Sequence, residues 1–145
     1  MKTELKNQIE SYFEQENFEE VSGLLHKYKE QYPSDRDLWF YECVLALTVG
    51  ELEKAQKIAD KCVHKFPTSY EAYYYQACVY QARGMILEAL KSYRIAYDLN
   101  LYTHYANDSI LEDIKVQIEN LGDQFEKLLN EYIAYNDFVN ISRML

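Results

Sequence analysis

Apolar residues recur along this chain at intervals of three and four, in runs of about fourteen residues broken by short polar turns. That spacing puts them on one face of an α-helix. It predicts helices over 3–15, 17–31, 35–49, 51–65, 69–83 and 85–98. Gly50 and Gly84 suit helix ends because glycine tolerates positive φ. Pro33 and Pro67 close the alternate helices because proline cannot continue a helix interior. The Ser and Thr of "PSDRDLW" and "PTSYEAY" are expected to cap the helices that follow. Beyond residue 104, Ile110, Leu111, Ile114, Ile118 and Leu121 keep helical spacing, and Phe125, Leu128, Leu129, Tyr132, Ile133 and Tyr135 continue it. With a turn allowed at Gly122, this tail reads as two further helices, about 105–121 and 123–142.

The pattern also repeats at a longer step. Counting in 34s aligns Leu5/Trp39/Tyr73, Ile9/Cys43/Ala77, Tyr12/Ala46/Tyr80, Phe18/Leu52/Ile86, Val21/Ala55/Ala89, Leu25/Ala59/Tyr93 and Tyr28/Cys62/Ala96. Every one of these columns is apolar. The turn position reads Glu16/Gly50/Gly84 and the closing position Pro33/Pro67/Leu101. Small residues such as Ala55, Ala59, Cys62, Ala77, Ala89 and Ala96 let helix axes approach closely, and Trp39, Tyr73, Tyr80 and Tyr93 fill the spaces between them. A single helical hairpin cannot bury its own apolar face, so the three must stack. The step fails in the tail, where Asn107, Ile118 and Asp123 replace the aromatic, the Gly and the Ala.

An early aromatic, then small residues, Gly, Ala, Ala and a closing Pro within 34 residues resemble the tetratricopeptide repeat. The resemblance is clearest in "WFYECVLALTVGELEKAQKIADKCVHKFP" (39–67) and "YYYQACVYQARGMILEALKSYRIAYDLN" (73–100), and weaker in 2–35, whose departures suit an end repeat. It implies an all-α, right-handed α-α superhelix of about eight antiparallel helices. The expected domain is single, spanning 1–145, with repeats at about 2–35, 36–69 and 70–103 and a diverged capping hairpin at about 104–145.

The resemblance further implies that the leading helix of each unit lines a concave groove. The groove columns would be Thr3/Asp37/Glu71, Lys6/Phe40/Tyr74, Asn7/Tyr41/Tyr75, Glu10/Val44/Cys78, Phe13/Leu47/Gln81 and Glu14/Thr48/Ala82. The stretch "YEAYYYQACVYQARG" is thereby divided. Tyr73 and Tyr80 are expected in the core, Tyr74 and Tyr75 on the groove beside Phe40 and Tyr41, and Tyr70 partly exposed. The peptide-groove set is Lys6, Asn7, Phe13, Phe40, Tyr41, Val44, Leu47, Tyr74, Tyr75, Cys78 and Gln81. Aromatics serve as interface anchors because they bury large area at small entropic cost. Removing Tyr74 and Phe40 together is expected to weaken partner binding and leave helicity nearly unchanged. One variant of the family grips the C-terminal carboxylates of chaperone tails. Lys6 matches the first position of that clamp, but Glu10, Tyr41, Glu71 and Tyr75 occupy the others, and two acids would repel a carboxylate.

Charge narrows the partner. The net charge is −9, and residues 101–145 alone carry 3 positive and 8 negative side chains. No basic stripe is present to neutralise phosphates, which argues against nucleic acid and against an anionic membrane surface. No segment approaches the roughly 18 apolar residues of a membrane span. The three cysteines, Cys43, Cys62 and Cys78, lack a disulfide framework and fit a reducing cytoplasm. His26, His64 and His104 lie far apart, and no ligand spacing for zinc, phosphate loop or nucleophile motif occurs, so no metal, cofactor or catalytic residue is expected. The sequence therefore reads as a non-catalytic scaffold that binds an extended peptide or a helix. The alternative is a self-association or regulatory module of a larger protein. Tyr132, Tyr135, Phe138 and Met144 motivate it, as a route to a homo-oligomer through the C-terminal helix.

Overall fold

A computed structural model of the chain describes residues 2–101 and 108–144. Among them are seven helices and no strand: α1 (Lys2–Glu14), α2 (Phe18–Gln31), α3 (Arg36–Thr48), α4 (Leu52–Lys65), α5 (Tyr70–Ala82), α6 (Ile86–Leu101) and α7 (Asp108–Met144). The first six form three hairpins, each packed on the next, with α3 also against α5 and α7 against α6. Residues 102–107, which hold the end of the expected third repeat and the start of the tail, lie outside the described residues.

The turn inside each hairpin is built the same way three times. The amides of Glu16, Gly50 and Gly84 donate to Phe13, Leu47 and Gln81, and the amides of Asn17, Glu51 and Met85 reach back to Tyr12, Ala46 and Tyr80. This is the Schellman pattern, which satisfies the last carbonyls of a helix and requires a left-handed residue just past its end. That residue has φ of 58° at Glu16, 84° at Gly50 and 77° at Gly84. The first hairpin thus holds a non-glycine residue where its repeats use glycine. A left-handed L-residue costs roughly 1–2 kcal/mol. Glu16→Gly is accordingly expected to stabilise the chain by about 1 kcal/mol, read as a raised urea midpoint with unchanged slope. An unchanged or lowered midpoint would contradict it.

The helix starts after the two prolines are capped one residue later than the sequence suggests. Asp35 caps α3, its carboxylate accepting from the Asp37 amide at 2.8 Å, and Ser69 caps α5, accepting from the Ala72 amide at 3.4 Å. Both caps are extended, with ψ of 129° and 117°, as N-caps typically are, so Ser34 and Thr68 precede the cap. Asp35 also pairs with Lys2, which ties the start of α1 to the start of α3.

The core is a row of clusters along the stack. Leu5, Ile9, Val21, Leu25, Tyr28 and Leu38 seal the first hairpin against α3. Cys43, Ala46, Ala55, Ala59 and Val79 join the second hairpin to α5. Ala77, Ala89, Tyr93 and Ala96 join α5 to α6 and receive Ile114 and Leu121 of α7. Tyr73 and Tyr80 pack on this last cluster while half-buried, whereas Tyr70, expected to be partly exposed, is buried.

The tail departs from expectation. In place of two helices turning at Gly122, α7 runs unbroken for 37 residues, which leaves seven helices among the described residues where about eight were expected. Its first half packs on the stack through Ile110, Ile114, Ile118 and Leu121. Beyond Leu121 it leaves the stack, and residues 123–135 are exposed.

Candidate functional site

The leading helices α1, α3 and α5 are joined side by side through a fixed stagger. Lys6 pairs with Asp37, and the Tyr41 hydroxyl donates to Glu10 Oε1 at 2.9 Å, both across 31 positions. Arg36 approaches Glu71 at 3.7 Å, and the Phe40 and Tyr75 rings lie 5.3 Å apart, both across 35 positions. The steps of 31 and 35 differ by four, the spacing at which side chains share a helical face.

The structure brings the predicted groove residues into two aromatic groups rather than one. Phe13 stacks on Tyr41 with centroids 6.3 Å apart, and Tyr41 meets the edge of Tyr28 at 6.4 Å. Separately, Phe66, Phe40, Tyr75, Tyr74 and Tyr93 form a chain of ring contacts between 5.3 and 6.1 Å. Phe40, expected on the inner wall, is only 5% exposed and packs with Cys62 and Ala72. It is core, because Ala72 leaves room for its ring between α3 and α5 and Phe66 covers its edge. Lys6, Phe13, Tyr41, Val44, Leu47, Tyr74, Tyr75, Cys78 and Gln81 are half-buried, and Asn7 is exposed.

The third hairpin's share of this wall is met by α7. The Tyr74 hydroxyl donates to the Asp113 carboxylate, and Gln81 Nε2 donates to Gln117 Oε1 at 2.9 Å. Gln81 also accepts from the Tyr93 hydroxyl at 2.7 Å, and Cys78 Sγ lies 3.5 Å from that same hydroxyl. Here the partners stand 39 and 36 positions apart, so α7 meets α5 in a longer register than the steps of 31 and 35 that join α1, α3 and α5. Asp113 and Gln117 were not singled out in the sequence. The signal for them is their place, one turn apart, among the Ile110, Ile114 and Ile118 positions that seat the helix.

Electrostatically the wall is acidic and its phenols are neutral. Glu10, Asp37, Glu71 and Asp113 stand against Lys6 and Arg36. Burial, then the Glu10 carboxylate, raises the Tyr41 pKa, and burial, then Asp113, raises that of Tyr74. Burial likewise raises Tyr75, with Glu71 adding to it. Glu71 itself is raised by burial against the pull of Arg36. The Cys78 thiol is pushed up by burial, which its hydrogen bond with Tyr93 only partly offsets, so it does not present an activated thiolate. Among the described residues no group of three His, Cys, Asp or Glu side chains could hold a metal ion. Chemically, such a surface can bury an apolar segment and balance positive charge, while the Tyr41 and Tyr74 hydroxyls already donate to Glu10 and Asp113.

No protein-family model and no curated protein matches the chain, whereas solved structures do. The TPR domain of Sgt2 from Aspergillus fumigatus superposes with a TM-score of 0.73 at 12% identity, over 89% of this chain and 82% of that one. The TPR2B domain of yeast Sti1, solved as a complex with pHsp70, gives 0.71 at 15% identity, over 85% of this chain and 97% of that one. The first TPR domain of human RPAP3 gives 0.62 at 19% identity, over 85% and 96%. With paired helices recurring at a step of 34 and likeness of this extent to three such domains, the chain has the tetratricopeptide-repeat fold.

Proposed function

We propose that the chain is a non-catalytic protein-interaction module whose three hairpins curve as a right-handed superhelix and whose inner wall takes an extended peptide or a helix. The observation that carries this reading is the half-buried apolar strip of Phe13, Tyr41, Val44 and Leu47, edged by carboxylates. Such a strip buries apolar side chains of a partner on a surface already formed. The acidic edge favours a segment that carries Lys or Arg among its apolar residues. Lys6 is held by Asp37, which removes the one cation that matched a carboxylate clamp. A reducing compartment fits three free thiols, of which Cys43 and Cys62 are buried and pushed up to about 12 by that burial.

Selection of random short peptides on the full chain tests the proposal. Enriched sequences should combine aromatic or aliphatic residues with Lys or Arg. Val44→Glu should weaken their binding by about tenfold or more while the helical circular dichroism stays as it was. Peptides that bind the variant as well as the parent would overturn the assignment.

A further inference from the structure

We infer that the outer half of α7 pairs with the same segment of a second copy of this chain, antiparallel, in a two-helix seam. From Ile118 the apolar positions run Leu121, Phe125, Leu128, Tyr132, Tyr135 and Val139, alternating steps of three and four. That is the heptad spacing of a coiled coil, sustained over three heptads. The stack covers the first of these positions, since Leu121 is 2% exposed, and then stops. Leu128 is 50% exposed, Tyr132 64% and Tyr135 66%, and Phe125, Leu129 and Ile133 are also open. Together these six leave on the order of 600 Å² of mostly apolar surface exposed on one helix, at the top of the range for a monomer's largest patch. Two such faces bury about 1,200 Å² in total, the lower bound of a stable specific interface.

The seam is complementary to itself. Phe125, Leu128, Tyr132 and Tyr135 are spaced symmetrically about residue 130. Antiparallel pairing therefore sets Phe125 against the partner's Tyr135 and Leu128 against the partner's Tyr132, then repeats both contacts through the two-fold axis. Each layer combines one tyrosine with one smaller or hydroxyl-free side chain, and the phenol oxygens reach the rim. A parallel pair is disfavoured by the stack itself. It occupies the seam as far as Leu121, and a parallel partner would bring a second stack to the same place. Antiparallel pairing puts the two stacks at opposite ends of a helix that runs about 35 Å beyond Leu121. This interface is separate from the inner wall and does not depend on peptide binding there.

Sedimentation equilibrium of the full chain from about 1 to 100 µM tests it, a range that spans the weak end of specific association, where packing and not area sets the affinity. The expected mass rises to twice 17.3 kDa. Leu128→Glu with Tyr132→Glu should raise the dissociation constant by at least about a hundredfold, with helicity and thermal midpoint kept at low concentration, since both side chains are exposed. A chain that stays monomeric throughout, or a dimer that survives the double substitution, would overturn the proposal. Disulfide trapping reads the register. A mixture of Leu128→Cys and Tyr132→Cys chains should cross-link well and either variant alone poorly. The reverse outcome would overturn the antiparallel arrangement.

Discussion

Phe40→Ala is expected to cost about 3–5 kcal/mol of stability, with or without a ligand present. The ring is almost fully buried with Cys62 and Ala72, meets Phe66 at 6.1 Å and Tyr75 at 5.3 Å, and lies 5.6 Å from the Arg36 guanidinium. Truncation removes those contacts and leaves a cavity between the second and third hairpins that their helices cannot close without shifting. A domain of this size is stable by about 5–15 kcal/mol, so much of the total is at stake. Urea unfolding followed by circular dichroism measures the loss. A cost below about 1 kcal/mol would mean the side chain is not core. The consequence for the groove is direct. Removing Phe40 together with Tyr74 confounds binding with unfolding, so the clean probe of the proposed binding surface is Val44, which is half-buried and outside the core clusters.

Phe40 shows what the chain's periodicity can and cannot convey. A step of 34 aligns equivalent positions, and it located all three left-handed turn residues, Glu16, Gly50 and Gly84. It also located the small side chains at the hairpin interfaces, where Ala55, Ala59, Cys62, Ala77, Ala89 and Ala96 are fully buried. It does not say how far each face is covered by its neighbours. Phe40 and Tyr74 share a column, yet one is buried and the other only half-buried, because the residues around them differ. Trp39, placed in the core by the same columns, is half-buried with the Lys65 ammonium 4.3 Å from its ring.

The residues after Gly122 carry the reason that no turn forms there. After Gly50 come Leu52, Ala55, Ala59 and Cys62, and after Gly84 come Ile86, Ala89, Tyr93 and Ala96, an apolar face able to fold back. The same offsets from Gly122 give Gln124, Lys127, Glu131 and Ala134. With no apolar face at the offsets that seat the earlier return helices, the chain keeps its helical hydrogen bonds, and glycine in the helix interior costs only about 1 kcal/mol. Glycine permits a turn; the residues that follow decide whether a turn is worth making. What no spacing conveys is the longer register in which α7 meets α5, which brings Asp113 and Gln117 to Tyr74 and Gln81.

Two aliphatic side chains fourteen positions apart on α7 should therefore respond in opposite ways. Ile114 has no exposed surface and sits with Tyr93, Ala77 and Ala96 where the helix meets the stack. Ile114→Ala is expected to cost about 2–5 kcal/mol and to loosen the first half of α7, exposing Tyr74 and Gln81 to solvent. Amide hydrogen exchange should then rise in residues 108–121 ahead of α3 and α4, because a local seat is lost before the second hairpin is disturbed. Leu128, at the same heptad position as Leu121 but beyond the stack, has half its surface in water. Leu128→Ala at about 1 µM should change stability by less than about 0.5 kcal/mol, and its effect should emerge only as concentration rises and copies associate. Equal losses at both positions under dilute conditions would mean that the outer half of α7 is covered within a single chain. Equal indifference would mean that its inner half is not seated on the stack.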